Sequence, residues 1–246
     1  VSLIESGQTR VIDCSTAHRT AEGWTYGFPE LSGQREAIRT AARVANPGCY
    51  ATGFLALVRP LVERGALSSK ARLACHALSG YTGAGKKAIA QYTDPDRDKE
   101  LESPRHYAVT LAHKHLPEMA AIAGLNRPPL FMPMICDYPQ GMVVTVPLWA
   151  EELEGPWSIE KLRALYEDYY GGSPVVTLRP AGAPSCGFIG ANNLSGTDGL
   201  QIFVNGNSGQ FMLSARLDNL GKGASGAAVQ NMNLMLGFEE TAGLAL

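Results

Sequence analysis

The chain has 246 residues, 45% hydrophobic and 18% charged, with a formal net charge of −2. That length and apolar content suffice to bury the core of one large or two modest domains without disulfides or metals. The near balance of charge excludes a nucleic acid or an anionic membrane as the principal partner.

Residues 10–15 are a short apolar run ending in polar side chains, which predicts a buried strand delivering Ser15 at its C-terminal end. A helix is expected near 34–43, then a sharp turn over 45–50 containing Asn46-Pro47-Gly48. Apolar residues recur at helical spacing over 50–64, with Gly65 as the stop and Pro60 as a counter-signal that kinks or splits the helix. A strand over 73–79 runs into the glycine-rich segment 79–87, and the charged stretch 92–106 reads as a surface loop. A short helix follows over 116–123. Strands are expected at 130–135, 141–148, 175–178, 200–204 and 210–217, and helices at 158–170, capped by Ser158, and at 225–236, stopped by Gly237. Mixed helix and strand make the fold class α/β or α+β.

The 27 glycines are interleaved with apolar segments, so they indicate tight turns and close backbone approaches rather than disorder. Five cysteines, at 14, 49, 75, 136 and 186, are odd in number and form no Cys-x-x-Cys pair. Reduced thiols in a cytoplasm are expected, not a disulfide framework or a zinc ribbon. Residues 1–7 carry no basic region followed by an apolar core, so no signal peptide is expected, and no apolar run is long enough to span a membrane.

Four places can carry chemistry. Cys49 follows Asn-Pro-Gly and opens a helix, where the helix N-terminus favours a thiolate, lowers its pKa and offers free N–H groups to an oxyanion. Its bland alternative is a small buried hydrophobe. His113 and His115, two residues apart in His-Lys-His-Leu-Pro-Glu, share one side of an extended strand. No third ligand cluster accompanies them, so a metal is not expected; the sharper reading is one of them as general acid–base, oriented by Glu118, and the bland one is a pair of ordinary surface or core histidines. The 80–85 loop brings backbone N–H groups close to a phosphate or forms a plain turn, and its spacing to Lys86 is not that of a Walker loop. Ser15 and Arg19, just past a strand end, suit an anion.

In order, these segments resemble the N-acetyl-gamma-glutamyl-phosphate reductases, within the semialdehyde dehydrogenase group. The nucleophile motif is Asn46-Pro47-Gly48-Cys49-Tyr50. Val11 to Thr20 and Tyr26-Gly27-Phe28-Pro29-Glu30-Leu31 are similar to the family's upstream segment. The 79–86 loop, His113 to Glu118, and Asp218 to Asn233 match its later motifs, and Ser-Thr-Ala-His-Arg-Thr with Gln140-Gly141-Met142 resembles the shorter, type 2 branch. Ala51 departs from the proline usual after Cys-Tyr, with little chemical consequence expected.

The resemblance implies NADP(H)-dependent reduction of an acyl phosphate to an aldehyde through a Cys49 thioester. His115 is then the acid–base group, with Glu118 fixing its tautomer. Arg19, His113 and Lys86 meet substrate and phosphate, and Ser15, Gly80, Thr82, Gly83, Gly85 and Asn231 border the cofactor. It further implies a cytoplasmic homodimer or homotetramer. The expected architecture is an incomplete Rossmann-type dinucleotide-binding domain (1–48), an α+β catalytic and dimerisation domain with a mixed sheet (49–217), and a closing helix that returns to the first domain (218–246). Fewer than ten residues precede the first strand, too few for a βαβ unit, so a missing opening unit is expected. A sister enzyme acting on aspartyl phosphate, a Cys/His thiol hydrolase or acyltransferase without nicotinamide, and a non-enzymatic domain derived from an enzyme remain as alternatives.

Overall fold

The computed structural model describes residues 9–184 and 186–246; the signal-peptide expectation for residues 1–7 lies outside them. Three very short strands, β1 (Val11–Asp13), β2 (Thr25–Tyr26) and β3 (Arg43–Ala45), form a parallel sheet in the order β1-β3-β2, with helix α1 (Gln34–Thr40) between β2 and β3. The helix expected to reach residue 43 ends earlier. Ala41 turns extended, and fully buried Val44 pairs with Ile12 on one side and Thr25 on the other. Sheet pairing and burial thus override the helical propensity of an alanine-rich stretch.

The larger sheet has seven strands in the order β5-β6-β4-β7-β10-β9-β8. They are β4 (Ala74–Gly80), β5 (Arg105–His106), β6 (Leu130–Cys136), β7 (Met142–Trp149), β8 (Val176–Leu178), β9 (Leu200–Gly206) and β10 (Gln210–Leu217). The β4–β6 and β8–β9 pairs are parallel and the rest antiparallel, so the sheet is mixed. Helices α2 (Cys49–Glu63), α4 (Leu116–Ala123) and α5 (Ile159–Tyr170) pack on one side of it, while α6 (Gly226–Leu236) packs against α1 and β1. The segment expected to be loop over 79–87 and 92–106 is more ordered than its glycines and prolines suggest. It contains a single 3-10 turn (Tyr81–Ala84), then α3 (Lys86–Thr93), a second 3-10 turn (Lys99–Glu102) and β5.

Helix α2 is the central element. Phe54, Leu55, Leu57, Val58 and Leu61 are completely buried, against an inner sheet face that includes Val144, Val146, Leu213 and Leu217. Gly53 lets helix and sheet meet closely, since a Cβ there would lie 2.6 Å from Val144. Pro60 does not split α2, and α5 supplies the missing donor. The Ala56 carbonyl, left without its i+4 N–H, accepts the Tyr170 hydroxyl at 2.8 Å, and Leu57 accepts that of Tyr166 at 2.5 Å. Tyr170→Phe leaves a buried carbonyl unpaired and should cost about 1–3 kcal/mol; an unchanged midpoint in urea denaturation would refute this account of the proline. The outer sheet face leaves Leu130, Trp149 and Met212 exposed at 49, 56 and 41%.

Candidate active site

Parallel strand β3 ends in the turn Asn46-Pro47-Gly48, which aims the start of α2 into a cleft. Four elements hold that turn. The Asn46 N–H donates to the Asp13 carbonyl at the end of β1, and the Asn46 side chain donates to the Ala224 carbonyl at 2.9 Å. Asn231 of α6 donates to Asn46 Oδ1 at 3.0 Å, and Arg19 Nε donates to the Asn46 carbonyl at 2.9 Å. Gly48 is sterically required: a Cβ there would lie 2.5 Å from Arg19 and 2.6 Å from His115 Nε2. A glycine N-cap carries no side-chain cap, so the first N–H groups of α2 are left for the cleft.

Glu118 does not orient His115, contrary to the sequence reading. One oxygen accepts the Tyr26 hydroxyl at 2.6 Å and the Gly48 N–H at 2.8 Å, and the other accepts Arg19 Nη1 at 3.0 Å. Glu118 and Arg19 are both buried. Arg19 also donates Nη2 to the Cys14 carbonyl at 3.0 Å, so its charge and fork are spent on the scaffold. The two are positioning residues for the Cys49 turn.

His113 and His115 lie on a turn rather than a strand, His115 at the N-cap of α4, yet their rings meet edge-on with centroids 4.8 Å apart. His113 Nδ1 accepts the His115 backbone N–H at 3.1 Å, and its Nε2 lies 3.3 Å from the Tyr107 hydroxyl. Those bonds place the His113 proton on Nε2. The His115 Nδ1 is buried without a partner among the described residues.

These groups surround a cavity of about 450 Å³, whose lining includes Arg19, Gly48, Cys49, Tyr107, His113, Lys114 and His115. Burial pushes the Cys49 thiol up to about 11, against the favourable hydrogen bond from the Tyr50 N–H. This shift runs opposite to the lowered pKa expected from the helix N-terminus. A helix terminus is worth about 0.3–1 kcal/mol, less than one pKa unit. Burial likewise pulls His113 down to about 4 and His115 to about 2, so both imidazoles are neutral at physiological pH. A thiol beside a neutral imidazole can be activated by transferring its proton, because the resulting thiolate and imidazolium stabilise each other.

The opposite wall is the glycine-rich turn. Thr82, Gly83 and Gly85 line the cavity, with Asn219 bridging the Gly141 N–H to Thr82 Oγ1, both at 2.9 Å. Gly80 packs instead against the Pro139 carbonyl, and Lys86 is exposed and absent from the lining. Ser15 also lies outside the lining, bonded to Asp13 at 2.7 Å; its neighbour Cys14 reaches the cavity. Asn231 is buried against Gly27 and Asn46, so it acts through the turn. A π-turn (Gly221–Ser225) completes the cleft. Gly223 lies so near Cys49 that a Cβ would come within 2.8 Å of its Cβ, and buried Lys222 anchors the turn to both Glu30 oxygens at 2.9 Å.

Sequence reasoning missed Lys114, Tyr107 and Asn219 as lining residues. A polar Asp-Asn pair directly after strand β10 was the available signal for Asn219, of the same kind that singled out Ser15. Cys14 and Asn46 lie at the carboxyl ends of β1 and β3, where ligands bind in open parallel sheets, and together with the Thr82–Gly85 turn from the other sheet they suit the reactive end of a dinucleotide.

The semialdehyde dehydrogenase dimerisation domain family matches residues 49–219. N-acetyl-gamma-glutamyl-phosphate reductase 2 of Nostoc sp. is 46% identical, covering 99% of this chain and 79% of the relative. The N-acetyl-gamma-glutamyl-phosphate reductase of Brucella ovis is 49% identical, covering 96% and 78%. Among solved structures, aspartate semialdehyde dehydrogenase II of Vibrio cholerae superposes with a TM-score of 0.69 at 18% identity, covering 92% of this chain and 72% of that one, a shared fold.

Proposed function

Since the chain belongs to the semialdehyde dehydrogenase family, on the branch of the N-acetyl-gamma-glutamyl-phosphate reductases, we propose that it reduces N-acetylglutamyl 5-phosphate to the 5-semialdehyde, a step of arginine biosynthesis, with Cys49 as the nucleophile. The observation that carries this reading is Cys49 at the uncapped N-terminus of α2, in one cavity with neutral His115. His115 takes the Cys49 proton, and the sulfur attacks the acyl carbon. The C–O bond to phosphate breaks, leaving a thioester while the α2 N–H groups hold the oxyanion. When bound, the reduced nicotinamide supplies the hydride that the thioester carbonyl accepts. Protonated His115 gives its proton to the alkoxide left by hydride addition, takes it back as the hemithioacetal C–S bond breaks and the aldehyde departs, and passes it to the released sulfur, so that the Cys49 thiol is regenerated.

The cofactor is a nicotinamide dinucleotide, NADP(H) in our reading, bordered by Cys14, Asn46 and the Thr82–Gly85 turn. The parallel sheet and α6 support a division into a dinucleotide-binding part (1–48 and 218–246) and a catalytic part (49–217). The exposed apolar residues of the outer sheet face support association of copies through that face, as a homodimer or a pair of dimers in the cytoplasm. Among the described residues no helix is long and apolar enough to cross a membrane.

Incubation with the acyl phosphate and NADPH tests the reading. One aldehyde and one phosphate should appear per NADPH consumed. A burst of phosphate followed by turnover without nicotinamide would instead assign a thiol hydrolase.

A further inference from the structure

We propose that Lys114 binds the phosphate group of the acyl-phosphate substrate and, in the reverse direction, inorganic phosphate; this rests on the reading of Cys49 as the attacking thiol. Lys114 lies between the two cavity histidines and is exposed, with no carboxylate within ion-pair distance among the described residues. Among the described residues the cavity lining holds only one other permanent cation, Arg19, whose guanidinium is cancelled by Glu118 and bonded to two backbone carbonyls. Lys222 is cancelled by Glu30, and Lys86 stands outside the lining. His113 and His115 are neutral, and among the described residues the lining contains no carboxylate.

A phosphate departing from carbon gains negative charge in this cleft and meets, among the described residues, a single uncompensated cation. A lysine suits that task. Its ammonium is a compact charge on a flexible four-carbon stem and can follow the leaving group, whereas the fixed fork of Arg19 is committed to the scaffold.

The test uses Lys114→Met and Lys114→Arg in the reverse reaction, the oxidation of the semialdehyde with NADP⁺ and inorganic phosphate. There the carboxylate and the phosphate reside on different substrates. Lys114→Met should raise the KM for phosphate about tenfold or more, the loss of one charge-assisted contact, leave the aldehyde KM within about twofold, and be largely rescued by Lys114→Arg. A rise in the aldehyde KM with the phosphate KM unchanged places Lys114 on the carboxylate and overturns the proposal. Protection of Cys49 from iodoacetamide by inorganic phosphate supplies a readout without cofactor. The variant should need about tenfold more phosphate for the same protection, and equal protection also overturns it. Failure of the nucleophile reading shows separately, as turnover that survives Cys49→Ser.

Discussion

Cys49→Ser should abolish reduction of the acyl phosphate, by a factor on the order of 10⁴ or more, while shifting unfolding stability by no more than about 1 kcal/mol. The asymmetry follows from the place of Cys49. It is half-buried in the cavity lining, packed against the main core at its margin, so the exchange of sulfur for oxygen disturbs little packing. A serine hydroxyl is far harder to ionise than a thiol, and an ester is a poorer hydride acceptor than a thioester. Near-wild-type NADPH consumption by this variant would sink the mechanism. The same thiol makes a second reading possible. With the group pushed up to about 11, the thiolate fraction in the ligand-free protein rises tenfold per pH unit below that value. Alkylation of Cys49 should therefore accelerate steadily across neutral and mildly alkaline pH. A plateau near neutrality would mean a stable resting thiolate and would remove the need for His115 as base.

The Asn46-Pro47-Gly48 turn before Cys49, the histidine pair, both long helices of the main core and its principal strands were legible in the sequence, because those signals are local. Cys49 follows a Pro-Gly turn, and the apolar spacing of α2 persists across Pro60. What escaped was set by distant partners. Two- and three-residue strands such as β2 and β3 have no periodicity to read, and Val44 is a strand residue only because Ile12 and Thr25 flank it. The continuity of α2 depends on tyrosines more than a hundred positions away. Glu118 is three residues from His115 in sequence, yet it bonds Arg19, Tyr26 and Gly48, since a buried carboxylate takes the donors that best compensate its desolvation. Lys86 and Lys114 are equivalent in composition; only the path of the chain puts one in the cavity and the other outside it.

His115→Asn should lower turnover by roughly 10²- to 10⁴-fold, the span of a lost general acid–base group, and by more than His113→Asn. The difference between them is geometric. His115 Nε2 faces the backbone just before Cys49, close enough that only glycine fits at position 48. His113 uses Nδ1 to hold the His115 N–H and turns Nε2 to Tyr107, so its loss loosens the turn without removing the proton carrier. A larger loss in His113→Asn would reverse the assignment. Acid stability offers a readout independent of turnover. His115 is pulled down to about 2 in the folded protein from an ordinary value of 6.5, so below that value the unfolded chain binds a proton that the folded chain refuses. Stability is then fully present above about pH 6.5 and falls as the pH drops towards the folded value. Asparagine cannot take the proton, so the variant should show a shallower loss between about pH 6 and 4, by one proton's worth of slope. An identical slope in wild type and variant would mean that His115 takes up a proton in the folded state as readily as in the unfolded chain, and would overturn the reading that burial keeps it neutral.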